Sequence, residues 1–289
     1  MKVLVLGSKG QLGRCLNDQL VNTSHDVVYT SRDQINISNF QVTENQITDI
    51  APDVVINATA YTAVDRAEED QETANLINHL AVANIANICQ KLDCWLIHVS
   101  TDYVFDGTSV MPYQEDDQTN PQGVYGSTKL KGELAIKSSA CKYVIIRTAW
   151  VFSEYGNNFL KTMLRLGVEH DELNIVDDQI GAPTYAQDIA KAITSVLRGL
   201  IDGYGSQGIY HYCGDTPCSW FEFATEIFNQ ARVLDFRVPD SLKAVTTSQY
   251  PTLAKRPMFS VLDNRKGFEN FRFYPSNWEK GIDTALRRL

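Results

Sequence analysis

The chain has 289 residues, 44% of them apolar and 21% charged, with a formal net charge of -9 at pH 7. That length can bury a sizeable core and suits one large α/β unit or two coupled lobes. The acidic balance argues against nucleic acid or an anionic membrane as partner, since both favour a basic patch, but local Arg and Lys can still hold an anionic small molecule.

No run approaches the roughly 18 apolar residues of a membrane span. Met1 and Lys2 lead into a short apolar stretch that ends in a glycine turn, unlike a secretory segment. The expected location is the cytoplasm, with no nucleic-acid and no membrane partner.

The first half alternates apolar runs with amphipathic stretches. Residues 2–7, 26–30, 53–59, 95–101 and 143–150 read as strands rich in β-branched residues without clean alternation, which indicates burial on both faces. Helical patterns lie between them at 11–22, 40–50, 72–92 and 124–138. This repetition predicts an α/β fold, a Rossmann-type doubly wound parallel sheet with a smaller C-terminal substrate-binding lobe. The boundary falls near residue 150, giving a dinucleotide-binding domain over 1–150 and a substrate lobe over 151–289, with some later segments returning to the first. In that second part 158–169, 187–199 and 219–232 read as helices and 208–214 as a strand.

Six cysteines are present and none forms a CxxC. Cys213 with His211 nearby comes nearest to a ligand pair, but such loose spacing fits small apolar core residues better than zinc, and no metal is expected.

"GSKGQLG" (7–13) follows the first strand and opens the first helix. Gly7 allows the tight exit, Gly10 a close approach to a pyrophosphate, and Gly13 close packing of helix on sheet. The helix N-terminus then offers free N–H groups to phosphate. The second strand ends Thr30, Ser31, Arg32, Asp33. Arg32 with Ser31 favours the 2′-phosphate of NADPH; Asp33 would suit the ribose of NADH if it turned inward, or would simply pair with Arg32.

"VYGSTK" (124–129) sets Tyr125 and Lys129 four apart, on one face of a helix. A phenol titrates near 10, and an adjacent ammonium lowers that value towards the range of a useful general acid. "STDYVF" (100–105) closes the fourth strand, at the end where open α/β sheets bind ligands, so Thr101 could share a carbonyl oxygen with Tyr125. Taken alone, a Tyr and a Lys one turn apart on a solvated helix would be a chance pair. The glycine loop and the Thr at a strand end make them a constellation.

Together these features resemble an extended short-chain dehydrogenase/reductase. The stretches 57–68, 98–107, 125–133, 147–152, 156–166, 178–186 and 251–263 resemble the dTDP-4-dehydrorhamnose reductase family, over almost the whole chain. The resemblance implies that NADPH, or NADH, delivers a hydride to C4 of a dTDP-4-dehydro sugar. Thr101, Tyr125 and Lys129 would be the catalytic group, with Lys129 also holding the nicotinamide ribose. Gln11, Leu12 and Gly13 would lie under the pyrophosphate, and Ala58, Ala60, Tyr61 and Thr62 along the cofactor. Thr30, Ser31 and Arg32 would sit at the ribose, and Asn36 and Ile37 at the adenine, although many relatives have Asp at the first of these. Asp102 and Trp150 would contact the dTDP-sugar.

Arg256, Lys161 and Arg165 are candidates for the substrate diphosphate, the last two equally readable as a solvated helix face. Some relatives form a dimer around carboxylate-bridged magnesium; those positions read Cys15 and Gln187 here, so a homodimer of that kind is not expected. Met258 and Phe259 replace small polar residues in a loop expected to border the nucleotide. A sugar-nucleotide epimerase or dehydratase of the same superfamily, or a regulatory homologue without turnover, stands as the alternative; only a reductase would consume NADPH stoichiometrically.

Overall fold

A computed structural model describes all residues, 1–289. Its centre is a six-stranded, all-parallel sheet. In chain order the first five strands are β1 (Lys2–Leu6), β2 (Asp26–Thr30), β3 (Val54–Asn57), β4 (Trp95–Thr101) and β5 (Lys142–Thr148). β1 pairs with β2 on one side and β3 on the other; β4 and β5 follow, and Gly208–His211 closes the far edge beside β5. The order reverses direction at β1, so the loops after β1 and β3 splay apart and leave a crevice at their carboxyl ends.

Alternation along β1 divides the core. Val3 and Val5 face one layer, where helices Gln11–Leu20 and Ala186–Asp202 supply Leu16, Ile189 and Ile193. Leu4 and Leu6 face the other, against Ile47 of Phe40–Ile50 and Ile85 of Ala81–Lys91. Both layers are fully buried, which is why these strands read as continuous apolar runs.

A third cluster lies in the C-terminal half and centres on Phe152, Leu160, Phe223, Trp278 and Ile282. Two segments unmarked in the sequence reading, Glu172–Val176 and Ser241–Val245, pair there in parallel. The short helices Val64–Glu69, Arg265–Phe271 and Trp278–Leu286 are also additions. The helix expected over 72–92 is three pieces, Gln71–Asn75, a π turn at Leu76–Leu80 and Ala81–Lys91. No helix is long and apolar enough to cross a membrane.

Candidate active site

The glycine turn is built by close contact. Gly7 has φ +86°, and the N–H groups of Gly7 and Ser8 both donate to Thr30 O at 2.9 Å, tying the loop to the end of β2. At Gly13 an added Cβ would overlap Gly7 O and lie 2.6 Å from Ser8 Cα, so only glycine lets the helix start this near the strand. Gly10 is the N-cap and brings no side chain to that role; the first intrahelical bond is Arg14 N–H to Gly10 O. The N–H groups of Gln11, Leu12 and Gly13 are thereby left without an intrahelical acceptor, at the positive end of the helix dipole. The Gln11 side chain turns away, its Oε1 accepting from Asn158 Nδ2 (2.6 Å) and the Ser153 hydroxyl (3.1 Å).

Beyond β2 the side chains differ in their availability. Thr30 is buried and donates to Val5 O, so the sheet takes its hydroxyl. The Ser31 hydroxyl donates to Gln34 Oε1. Asp33 pairs with Lys9 at 2.7 Å on the surface, whereas Arg32 is exposed and forms no ion pair. The Asn36 Oδ1 is occupied by Ser38, and Ile37 lies in the core. Of these residues Arg32 alone keeps its whole polar group free.

The segment after β3 is clamped by Asn78. Its Oδ1 accepts from Tyr61 N–H (2.8 Å), while its Nδ2 donates to Tyr61 O (3.1 Å) and Thr128 Oγ1 (3.3 Å). Asn78 sits in the π turn, where the widened backbone directs a polar side chain inward. It joins the Ala60–Thr62 strip to helix Val124–Ser138. The sequence reading passed over it because a lone Asn within an apolar helix pattern carries no visible sign of the bulge.

Thr101 ends β4 in register with Thr148 of β5. Its hydroxyl donates to Asp102 Oδ1 (3.0 Å) and accepts from Tyr103 N–H (3.2 Å). Tyr125 enters beside it on the helix, its ring edge-on to Tyr103 at 5.6 Å. Burial pushes the Tyr125 phenol well above its ordinary value, the Thr101 hydroxyl opposes this in part, and Asp102 and Tyr103 add to the rise. Lys129 is buried and donates to Val99 O at 2.7 Å, with His98 Nε2 at 3.1 Å. Burial lowers the lysine to about 8, with Glu133 acting the other way.

Here the structure corrects one expectation. The phenol is raised rather than lowered, because burial dominates and the lysine nitrogen is bonded to β4 instead of facing the phenol oxygen. Burial likewise pushes the Asp102 carboxyl up to about 6.

Trp150 follows β5 with φ +47°, an uncommon conformation for a bulky residue. It is held by stacking on Trp220, with ring centroids 3.4 Å apart, and by Gly181, where any side chain would overlap the indole. Trp220 and Phe159 also line a cleft of about 610 Å³ with Gln179, Tyr250 and Arg256. Arg256 spans Asp65 (2.7 Å) and the Tyr103 hydroxyl (3.2 Å), so this cleft reaches the Thr101–Tyr125 group through Tyr103. A separate cleft of about 620 Å³, bordered by Gln187, Lys191 and Arg272, touches none of these residues.

Lys161 and Arg165 are not among the lining residues: the Lys161 ammonium donates to Glu154 O, and Arg165 pairs with Glu169 one turn on, as a solvated helix face does. Met258 is half exposed and Phe259 bridges to Ile180, which places that loop beside Gln179. Trp220, Gln179 and Phe159 were missed, because nothing in their spacing links residues that two helices and a connecting loop bring together.

This sheet, turn and Tyr–Lys helix define an extended short-chain dehydrogenase/reductase. A family model for the RmlD substrate binding domain matches residues 1–289. The chain is 42% identical over 286 residues to the dTDP-4-dehydrorhamnose reductase of Aggregatibacter actinomycetemcomitans, covering 97% of each. It is similar to the crystal structure of a dTDP-4-dehydrorhamnose reductase from Clostridium acetobutylicum, with TM-score 0.92, 37% identity, and 100% of this chain and 99% of that one covered. It is also similar to the Bacillus anthracis enzyme in complex with NADP, with TM-score 0.91, 34% identity, and 100% and 99% covered. The chain belongs to the dTDP-4-dehydrorhamnose reductase family.

Proposed function

We propose that the protein reduces the C4 keto group of dTDP-4-dehydro-L-rhamnose to the alcohol of dTDP-L-rhamnose, with NADPH or NADH as reductant. The observation that carries this reading is the meeting of Thr101, Tyr125 and Lys129 at the carboxyl end of β4, in a chain that matches this reductase family over its full length.

The chain's residues fit a dinucleotide. Gly13 leaves a cradle that any Cβ would fill, and the three unpartnered N–H groups of Gln11, Leu12 and Gly13 suit a pyrophosphate. When bound, the cofactor supplies the hydride for C4. Tyr125 supplies the proton to the C4 oxygen as charge develops there, and its phenol, with an ordinary value already near 10, carries that proton at neutral pH. The Thr101 hydroxyl sits beside the same oxygen. Trp150 and Asp102 border the sugar, and the aromatic cleft at Phe159 and Trp220 takes the nucleotide. Arg256 serves the diphosphate by leaving Asp65, an exchange of one charged partner for another. Residues 1–150 thus hold mainly cofactor and residues 151–289 mainly sugar nucleotide.

The preference for NADPH rests on Arg32, exposed and without an ion pair, while Asp33 is occupied by Lys9. A dimer bridged through magnesium is not supported by this chain's residues: burial pushes the Cys15 thiol up to about 12, and Gln187 carries no charge.

The deciding experiment mixes purified protein, NADPH and dTDP-4-dehydro-L-rhamnose. One NADPH oxidised per dTDP-L-rhamnose formed is expected; isomerised substrate without net NADPH loss would point to an epimerase and overturn the reading.

A further inference from the structure

Helix Val124–Ser138 carries Tyr125 in its first turn but supplies no cap of its own. Its N-cap is Gly123, without a side chain, and no acidic residue lies in that first turn. The first intrahelical bond runs from Ser127 N–H to Gly123 O, so the N–H groups of Val124, Tyr125 and Gly126 have no intrahelical acceptor. One of them finds a partner on another element. Glu68 Oε1, near the end of helix Val64–Glu69, accepts from Val124 N–H at 2.8 Å. A carboxylate here meets the positive end of the helix dipole in a charge-assisted bond. The glycine belongs to the same arrangement. A Cβ at residue 123 would lie 2.7 Å from Glu68 Oε1, so any capping side chain there would push the carboxylate away.

Helix Val64–Glu69 is itself pinned. Ala67 is fully buried. Asp65, one turn before Glu68 and on the same side, accepts from Ala254 N–H (3.1 Å) and Arg256 Nη2 (2.7 Å). Glu68 therefore reaches the Tyr125 helix from a fixed support. On the other side that helix is pressed against Tyr103, whose carbonyl any side chain at Gly126 would overlap.

We propose that Glu68 is a positioning residue for the reduction: it caps the Tyr125 helix from outside and thereby holds the phenol beside Thr101. The kinetic part rests on the function proposed above; the cap does not. Val124 directly precedes Tyr125, so movement at its N–H is passed to the phenol, and a misplacement of about 1 Å can cost about 100-fold in rate. The pyrophosphate seat at Gln11–Gly13 lies on a different helix. Loss of the cap should thus separate kcat from cofactor affinity, which a general loss of stability would not do.

Glu68→Ala removes the acceptor. Its kcat per folded molecule should fall on the order of tenfold or more, with NADPH affinity in a direct titration unchanged. Glu68→Gln keeps an amide oxygen for Val124 N–H and should hold kcat near the parent value. Gly123→Ala displaces the carboxylate without removing it and should lower kcat as Glu68→Ala does. Because both changes break one contact, the double variant should lose no more than Glu68→Ala alone. Unchanged kcat in folded Glu68→Ala, equal losses in the Gln and Ala variants, or additive losses in the double variant would each overturn the proposal. If Glu68→Ala does not fold, Gly123→Ala against Glu68→Gln decides in its place. Amide hydrogen exchange at Val124, slow in the parent and fast in Gly123→Ala, reads the cap without turnover; fast exchange in the parent overturns it. A parent that does not reduce the substrate would count against the proposed function and leave the exchange measurement to decide the cap.

Discussion

A phenol is a useful acid only while it keeps its proton, and Tyr125, whose ordinary value near 10 burial raises further, keeps it at neutral pH. Tyr125→Phe removes a hydroxyl and little volume, so the melting temperature should hold while kcat falls by about 10²–10⁴-fold. Turnover near the parent rate would remove Tyr125 from the role of proton donor.

Asp102 offers a stability test at the same scale. Burial penalises the charged form and pushes its carboxyl up to about 6 from an ordinary 3.8. A folded-state pKa above the unfolded one contributes stability below pH 4 that is lost as pH rises through 6. Asp102→Asn carries no such loss, so it should be more stable than the parent at pH 7, by about 2–3 kcal/mol at most, with the gain gone by pH 4. Urea unfolding at both pH values measures it.

Arg32→Ala tests the cofactor preference. Loss of a charge-assisted bond costs roughly 1.5–3 kcal/mol, so NADPH affinity should drop on the order of tenfold or more while NADH affinity barely changes. Equal losses in a direct titration would show that Arg32 faces away from the ribose.

Elements set the precision of these positions. Helix Gln11–Leu20 begins against the β1 turn only because residue 13 is glycine. Gly13→Ala must push the helix off the loop, at about 1–3 kcal/mol for an overpacked contact, and the displaced N–H groups should weaken dinucleotide binding. Denaturant unfolding with a parallel NADPH titration would show both losses; full binding in the folded variant would mean that the helix start is not the pyrophosphate seat.

The glycine turn is legible in sequence because each glycine answers a local steric demand. The π turn at Leu76–Leu80 is not, since the bonds that accompany it, from Asn78 to the Tyr61 backbone, join residues of separate segments. The 72–92 pattern is apolar at helical spacing throughout, and periodicity does not register one extra backbone residue.

At the scale of the molecule, one buried ion pair joins elements that sequence cannot connect. Arg147 of β5 and Glu133 of helix Val124–Ser138 meet at 2.7 Å with side chains 3% and 1% exposed. Arg147 Nη1 also reaches His211 Nε2 at 3.4 Å, linking the edge strand Gly208–His211 to the helix that carries Tyr125 and Lys129. Arg147→Met strands a carboxylate in the interior and should cost about 3–5 kcal/mol. Adding Glu133→Gln should recover much of that in urea unfolding; a single variant as stable as the parent would mean that the pair is not buried in solution.

The sequence by itself determined the parallel sheet, the glycine turn and the placing of Tyr125 and Lys129 one turn apart on a single helix, because each is a local or periodic property: runs buried on both faces, a turn with φ above zero, a spacing of four on a helix. The long family-like stretches added the reaction. Tertiary structure decided what depends on burial and on neighbours far along the chain. It raised the Tyr125 pKa where the spacing suggested lowering, and turned Lys129 towards Val99 and His98. It gave Arg256 to Asp65, placed Arg165 on a solvated face, and stacked Trp150 on Trp220, itself a lining residue of the cleft. The physical reason is that desolvation and three-dimensional proximity set the charge and direction of a side chain, and neither is a function of spacing along the chain.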